Sequence, residues 1–468
     1  MAEYCALSRP LRPRVGLLVI GLGTLLAPLD TAVNIAFPSI TQAFALNLED
    51  IRWVVVAYVL TYASLMLACG RLGDLVGYRP VFQVGLLISA LGLFTCSMAP
   101  NYALLLGGRA LQGLGIALTL SCGPALVTSL LPERERARAL AFYAGVIAVG
   151  GALGPIVGGI LLARWDWAAV FWFRLPIALL ALALSPLIAS APKRGSMRGF
   201  DAAGAILLVL FMSAVLLAFA YWPGPLPRAV PLGLLALALA LFVAFCLQEL
   251  NCPQPLIRLS LFADPSFTLL NVINIVANFA AFAVLILVPY YLLNISGWDA
   301  SAGGAVLATS AVGTVVGSWL VGRLAQHLPI GFLALAGLVL NTAGLWAIST
   351  WTQASSLPFV VCALFAQGVG IGLFQVGYSD YVTGALPVEE RGVAGSLTMV
   401  TRTIGVVLGA TGLSAAFTHF QAVARLAQVS ASEAFLAGFQ ATFAAVALGL
   451  AAVLVLSLCN KRTWRLGA

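Results

Sequence analysis

The chain has 468 residues, of which 62% are hydrophobic and only 9% charged, with a mean hydropathy of +1.04. So little charge excludes a soluble domain of this size, and the long unalternating apolar runs favour membrane-spanning helices over a closed barrel. The formal charge of +8 calls for no nucleic acid, because most of the 24 lysines and arginines fall in loops on one face, as the positive-inside rule expects of a cytoplasmic side.

Fourteen spans are predicted, near 15–37, 52–70, 80–99, 102–124, 139–162, 168–190, 202–222, 230–249, 267–293, 302–322, 330–350, 357–378, 394–417 and 436–459. Both termini are then expected in the cytoplasm. No small-residue cleavage site follows the first apolar run, which is long enough to remain a span. It carries Asp30, about 15 residues beyond Val15 and roughly 22 Å along a helix, past the bilayer middle. An ionised acid there costs several kcal/mol, so a protonated form comes within reach and Asp30 is a candidate for proton exchange. Asn34 lies one turn further on the same face.

The second and third spans are joined by a glycine-rich, charged stretch: Gly70, Arg71, Gly73, Asp74, Gly77 and Arg79. Such a hairpin must sit at the membrane surface, where Asp74 is placed to pair with Arg134, Arg136 or Arg138 of the loop after the fourth span. Arg109 lies within that fourth span, where an arginine needs an acid, carbonyls or water, with Gln112 and Gly113 close by. The fifth span holds Gly150, Gly154, Pro155, Gly158 and Gly159, small residues for close packing and a proline for a bend. Arg174, in the sixth, is expected to snorkel outward.

A basic stretch with Lys193, Arg194 and Arg198 precedes the seventh and eighth spans. In the ninth, Asn271, Asn274 and Asn278 share one helix face and are expected to line a cavity, since three lipid-facing amides would be costly. Gln375, Tyr378 and Asp380 in the twelfth span and Arg402 in the thirteenth extend this polar set. The eight cysteines form no CxxC or Cys/His pattern, so neither disulfide nor metal is expected.

The chain repeats itself. Leu131, Pro132, Glu135, Arg136 and Ala139 recur at a constant offset as Leu386, Pro387, Glu390, Arg391 and Ala394, and Gly150, Leu153 and Gly154 recur as Gly405, Leu408 and Gly409. Two parallel six-helix bundles follow, over 1–191 and 263–468, with two inserted helices and a basic linker at 192–262. The predicted fold class is an all-α polytopic membrane protein.

Five stretches resemble motifs of one family. They are 70–79 between the second and third spans, 29–38 in the first, 109–115 in the fourth, 150–159 in the fifth, and Phe200–Gly204 at the first inserted helix. In these the chain resembles the major facilitator superfamily, and within it the fourteen-helix drug:proton antiporters. The resemblance implies that Arg109 modulates the proton affinity of a carboxylate, that Asp74 helps close an inner gate, and that the glycines of the fifth span form the antiporter motif. Three departures stand out. Arg174 replaces an expected Asn, Leu293 an expected Gln, and Gln326 the acid of the second-half loop.

The expected function is proton-coupled export of drugs or other amphipathic molecules by alternating access. Export of an endogenous metabolite and a non-transporting sensor or scaffold are the alternatives. A cavity with few charges suits amphipathic cations or neutral aromatics, whereas a cluster of bases would suit acids. The expected partners are a small-molecule substrate, protons and the bilayer, without cofactor, metal, nucleic acid or enzymatic activity. A monomer in a bacterial inner membrane is the expected form.

Overall fold

A computed structural model of the protein describes residues 11–130, 136–188, 201–221, 227–252, 259–325, 327–384, 391–426, 428–459 and Trp464. The helices run α1 Leu11–Leu25, α2 Ala32–Ile35, α3 Phe37–Ala43, α4 Leu48–Val76, α5 Tyr78–Ser97, α6 Tyr102–Ser129, α7 Arg136–Arg164, α8 Ala169–Trp172 and α9 Leu175–Leu184. They continue as α10 Ala202–Tyr221, α11 Ala229–Asn251, α12 Pro265–Tyr290, α13 Ala300–Leu324, α14 Ile330–Ser349, α15 Leu357–Gly384, α16 Arg391–Arg425 and α17 Ala431–Cys459.

Twelve helical segments among the described residues are long and apolar enough to cross a membrane, against the fourteen expected. The two others expected are present as the helices α4 and α10. Helix α4 runs for 29 residues with its charges confined to the two ends, and α10 runs for 20 residues that include the apolar segment Ala203–Val215.

Few acids are available, and several start helices. Asp201 accepts from the Gly204 amide at 2.8 Å, Asp264 from Ser266 at 2.9 Å and Asp299 from Ala302 at 2.7 Å. Asn101 does the same for Leu104 at 2.9 Å. Each satisfies an amide that the first helical turn leaves unpaired, a contribution of about 1 kcal/mol.

The chain divides into two compact units, Met1–Ala36 with Trp53–Val209, and Phe37–Arg52 with Leu210–Ala468. In the first, α5 and α6 pack along their length, and a methyl on Gly92 would lie 2.5 Å from the Gln112 amide nitrogen. In the second, α14 packs on α15 in the same manner, and a methyl on Gly344 would lie 2.6 Å from the Gln367 amide nitrogen. The repeat read from the loops therefore extends to helix contacts. Its chemistry differs: the first unit has Arg109 three residues before Gln112, and the second has Leu364 three residues before Gln367.

The stretch expected as a hairpin between the second and third spans is mostly helix. Helix α4 continues to Val76 and α5 begins at Tyr78, leaving Gly77 alone at the corner with φ of 109°. Only glycine enters that region without strain. A methyl on Gly73 would meet Tyr78 and Cys122, so this glycine is required for close approach.

Candidate functional site

The first span is broken where its acid sits. Pro28 brings no amide hydrogen to a helix ladder, and the chain turns through a 3-10 segment, Pro28–Thr31, between α1 and α2. The Thr31 hydroxyl donates to the Pro28 carbonyl at 2.8 Å and to the Gly151 carbonyl at 3.3 Å, tying the break to α7. Three glycines of α7 lie on one face at spacing four and admit this segment. A methyl on Gly150 would lie 2.6 Å from Pro28, one on Gly154 would meet the Thr31 hydroxyl, and one on Gly158 would lie 2.7 Å from the Ala32 carbonyl oxygen. Pro155 and Gly159 are buried on the same helix.

The break turns Asp30 towards two arginines. Arg109 of α6 grips it with both terminal nitrogens, Nη1 to Oδ1 and Nη2 to Oδ2, each at 2.7 Å. Arg174 donates from Nη1 to the same Oδ1 at 2.6 Å, and Gln112 adds Nε2 to Oδ1 at 3.1 Å. Arg109 is further fixed by Nε to the Val54 carbonyl at 2.8 Å and Nη1 to the Gln112 side-chain oxygen at 2.7 Å. Its guanidinium lies 4.2 Å from the centre of the Tyr58 ring, a favourable cation–π placement. The two arginine side chains are 1% and 0% exposed, while Asp30 keeps 12%.

Arg174 therefore does not snorkel outward as expected. It stands between α8 and α9, donates Nε to the Val170 carbonyl one turn back at 3.1 Å, and turns inward. The physical reason is the countercharge: a buried guanidinium is stabilised far more by a carboxylate than by the path to an interface. The lone-acid picture of Asp30 changes with it, since one carboxylate serves two cations.

In the second unit the amides of α12 bond chiefly to one another and to neighbouring helices. Asn274 donates to the Thr401 hydroxyl at 2.8 Å, and its side-chain oxygen accepts from Asn278 at 3.0 Å and Gln375 at 3.1 Å. Tyr378 donates to the Asn271 side-chain oxygen at 2.8 Å and lies 3.0 Å from the Thr401 hydroxyl. Asn271, Asn274, Asn278 and Tyr378 are buried and Gln375 is half-buried. Arg402, next to Thr401, points away from this network and is exposed, as is Asp380.

Asn34 is buried on α2 and Gly70 is half-buried on α4. Arg79 is half-buried at the start of α5. Arg134 and Gln326 lie outside the described residues, as do the side chains of Asp74, Arg136 and Arg138, so the expected latch is not among the described contacts. Sequence reasoning did not single out Tyr58 or Thr401, which only the packing brings to these clusters. It also missed a cavity of about 710 Å³ in the second unit, lined by Ser39, Thr41, Gln42, Tyr290, Asn294 and Trp298. At its wall the Thr41 and Tyr290 hydroxyls lie 2.7 Å apart.

The profile of the Major Facilitator Superfamily matches residues 20–410. The riboflavin transporter RibZ of Clostridioides difficile is 28% identical over 405 residues, covering 86% of this chain and 88% of that protein. The multidrug resistance protein Stp of Mycobacterium tuberculosis is 31% identical over 406 residues, covering 84% and 74%. Among solved structures, a bacterial homologue of the human lysosomal transporter Spinster aligns with a TM-score of 0.70 at 18% identity, over 97% of this chain and 98% of that one.

Proposed function

The chain belongs to the Major Facilitator Superfamily, and we propose that it is a proton-coupled exporter of drugs or other amphipathic small molecules, working by alternating access. The observation that carries this reading is Asp30, an acid at a helix break, held by two arginines that are otherwise buried. Discontinuous helices near the bilayer middle are where secondary transporters bind ions and substrates. Asp30 alone of the trio keeps open surface, so a proton reaches the cluster through it. Protonation removes the one charge that holds Arg109 and Arg174, and both must then find new partners. That rearrangement is the step linking proton uptake to movement.

One proton moving through about 150 mV releases roughly 3.5 kcal/mol, which sustains a gradient of about 300-fold at 1.36 kcal/mol per factor of ten. The finer elements of the reading are fourteen spans, α4 and α10 included, in a bacterial inner membrane with both termini inside. The halves are 1–191 and 263–468, joined through 192–262. Asp74 with Arg79, Arg134 and Arg138 forms an inner gate, and the glycines of α7 let its bend seal one side. Asn34, Asn271, Asn274, Asn278, Gln375, Tyr378 and Arg402 face or frame the substrate path, and the protein works as a monomer. Similarity to a riboflavin transporter favours transport of an endogenous metabolite as the second reading.

The test is substrate-induced proton release from inverted membrane vesicles, with drugs and metabolites compared. Wild type should respond to at least one class, and Asp30→Asn should not. Normal coupling in the variant would remove Asp30 from the mechanism. Silence towards every compound would count against export itself.

A further inference from the structure

The cluster around Asp30 does not balance. Its charges are one carboxylate against two guanidiniums, and the other ionisable groups facing Arg109 are Tyr58 and Cys96, neither of which is anionic at neutral pH. Among the described residues a net charge of about +1 is thus held in a buried region, even with Asp30 fully ionised. The surplus has an address. Arg109 uses its Nε and both terminal nitrogens on Val54, Gln112 and Asp30. Arg174 uses Nε on Val170 and Nη1 on Asp30, while its Nη2 is buried and has no acceptor among the described residues.

We propose that Arg174 determines the charge that the cargo carries: the site accepts amphipathic molecules with an acidic group, attracted by the surplus positive charge, and rejects permanent cations. Discrimination of this kind needs a repulsive element as well as an attractive one, and a buried surplus cation supplies both. A unit charge about 8 Å away at an effective dielectric constant of about 20 changes binding roughly thirtyfold, favourably for an anion and unfavourably for a cation. With Asn at this position, the residue that the family resemblance led us to expect, the cluster would be neutral and neither preference would arise. The inference rests on the transporter reading for its meaning, since only a transporter has cargo to select.

Tetraphenylborate and tetraphenylphosphonium have nearly the same shape and opposite charge, so their binding ratio reports the sign of the site. Equilibrium dialysis of each ion against the purified full-length protein in detergent gives that ratio without any transport step. Arg174→Gln should lower the borate-to-phosphonium ratio at least tenfold relative to wild type, and Arg174→Lys, which keeps the charge, should leave it within threefold. Asp30→Asn should raise it, since one negative charge is lost; if Arg174→Gln fails to fold, the wild-type protein decides the matter, since it must bind the borate more tightly than the phosphonium. An unchanged ratio in Arg174→Gln, an equal fall in Arg174→Lys, or no rise in Asp30→Asn would each overturn the proposal. Loss of proton release with the ratios as expected would count against coupled export and leave charge selection standing.

Discussion

Arg174 and Arg109 share one oxygen. Both donate to Oδ1 of Asp30, at 2.6 and 2.7 Å, Arg109 from α6 and Arg174 from the turn between α8 and α9. Each arginine depends on that carboxylate, so their substitutions are coupled. Asp30→Asn strands two buried guanidiniums and should cost about 3–5 kcal/mol, seen as a marked loss of thermal stability in detergent. Arg174→Asn leaves Asp30 paired with Arg109 and should cost less. Combining Asp30→Asn with Arg174→Asn should recover part of the loss, and strict additivity in that cycle would show that the pair does not interact.

The glycines of α7 divide by what they face. A methyl at Gly158 meets the Ala32 backbone, which cannot move aside, and one at Gly154 meets Thr31. Gly158→Ala and Gly154→Ala should each destabilise by about 1–3 kcal/mol through overpacking and depress transport. Gly151→Ala has nothing within 4 Å of the added methyl and should be neutral, or stabilising by up to about 1 kcal/mol from helix propensity. Melting temperatures of the three variants, read with vesicle transport, check the contrast.

Tyr378 bridges α12 and α16 through its hydroxyl. Tyr378→Phe keeps the ring and leaves the Asn271 oxygen without its donor from α15, a loss of about 1–3 kcal/mol. Asn274→Ala removes a partner from Thr401, Asn278 and Gln375 at once and should be the more damaging of the two. Equal stability of the two variants would show that the network is not centred on Asn274.

At the corner between α4 and α5, Gly77 has φ of 109° and ψ of 139°, outside the left-handed helical region. Asn gains nothing there, so Gly77→Asn and Gly77→Ala should both cost about 1–3 kcal/mol in strain. Gly297 has φ of 66° and open space around it, where Asn is tolerated. Gly297→Asn should therefore express and melt close to wild type, and the comparison is read from size-exclusion profiles and melting curves.

Much of this protein is written locally. Membrane spans follow from runs of apolar residues, the repeat from residues recurring at one offset, and the candidate cations from the cost of an arginine inside a span. The same local reading placed the corner too early, because the charges of 71–79 mark the surface but do not stop a helix; α4 ends only where Gly77 takes a conformation that other residues avoid. It also sent Arg174 outward. Hydropathy and periodicity depend on near neighbours, whereas Asp30 and Arg174 are 144 residues apart. Sequence alone determined that buried charges here require partners and that the fifth span could pack closely. Only the tertiary structure decided which partners they have, because a countercharge a few ångströms away in space outweighs anything nearby in the chain.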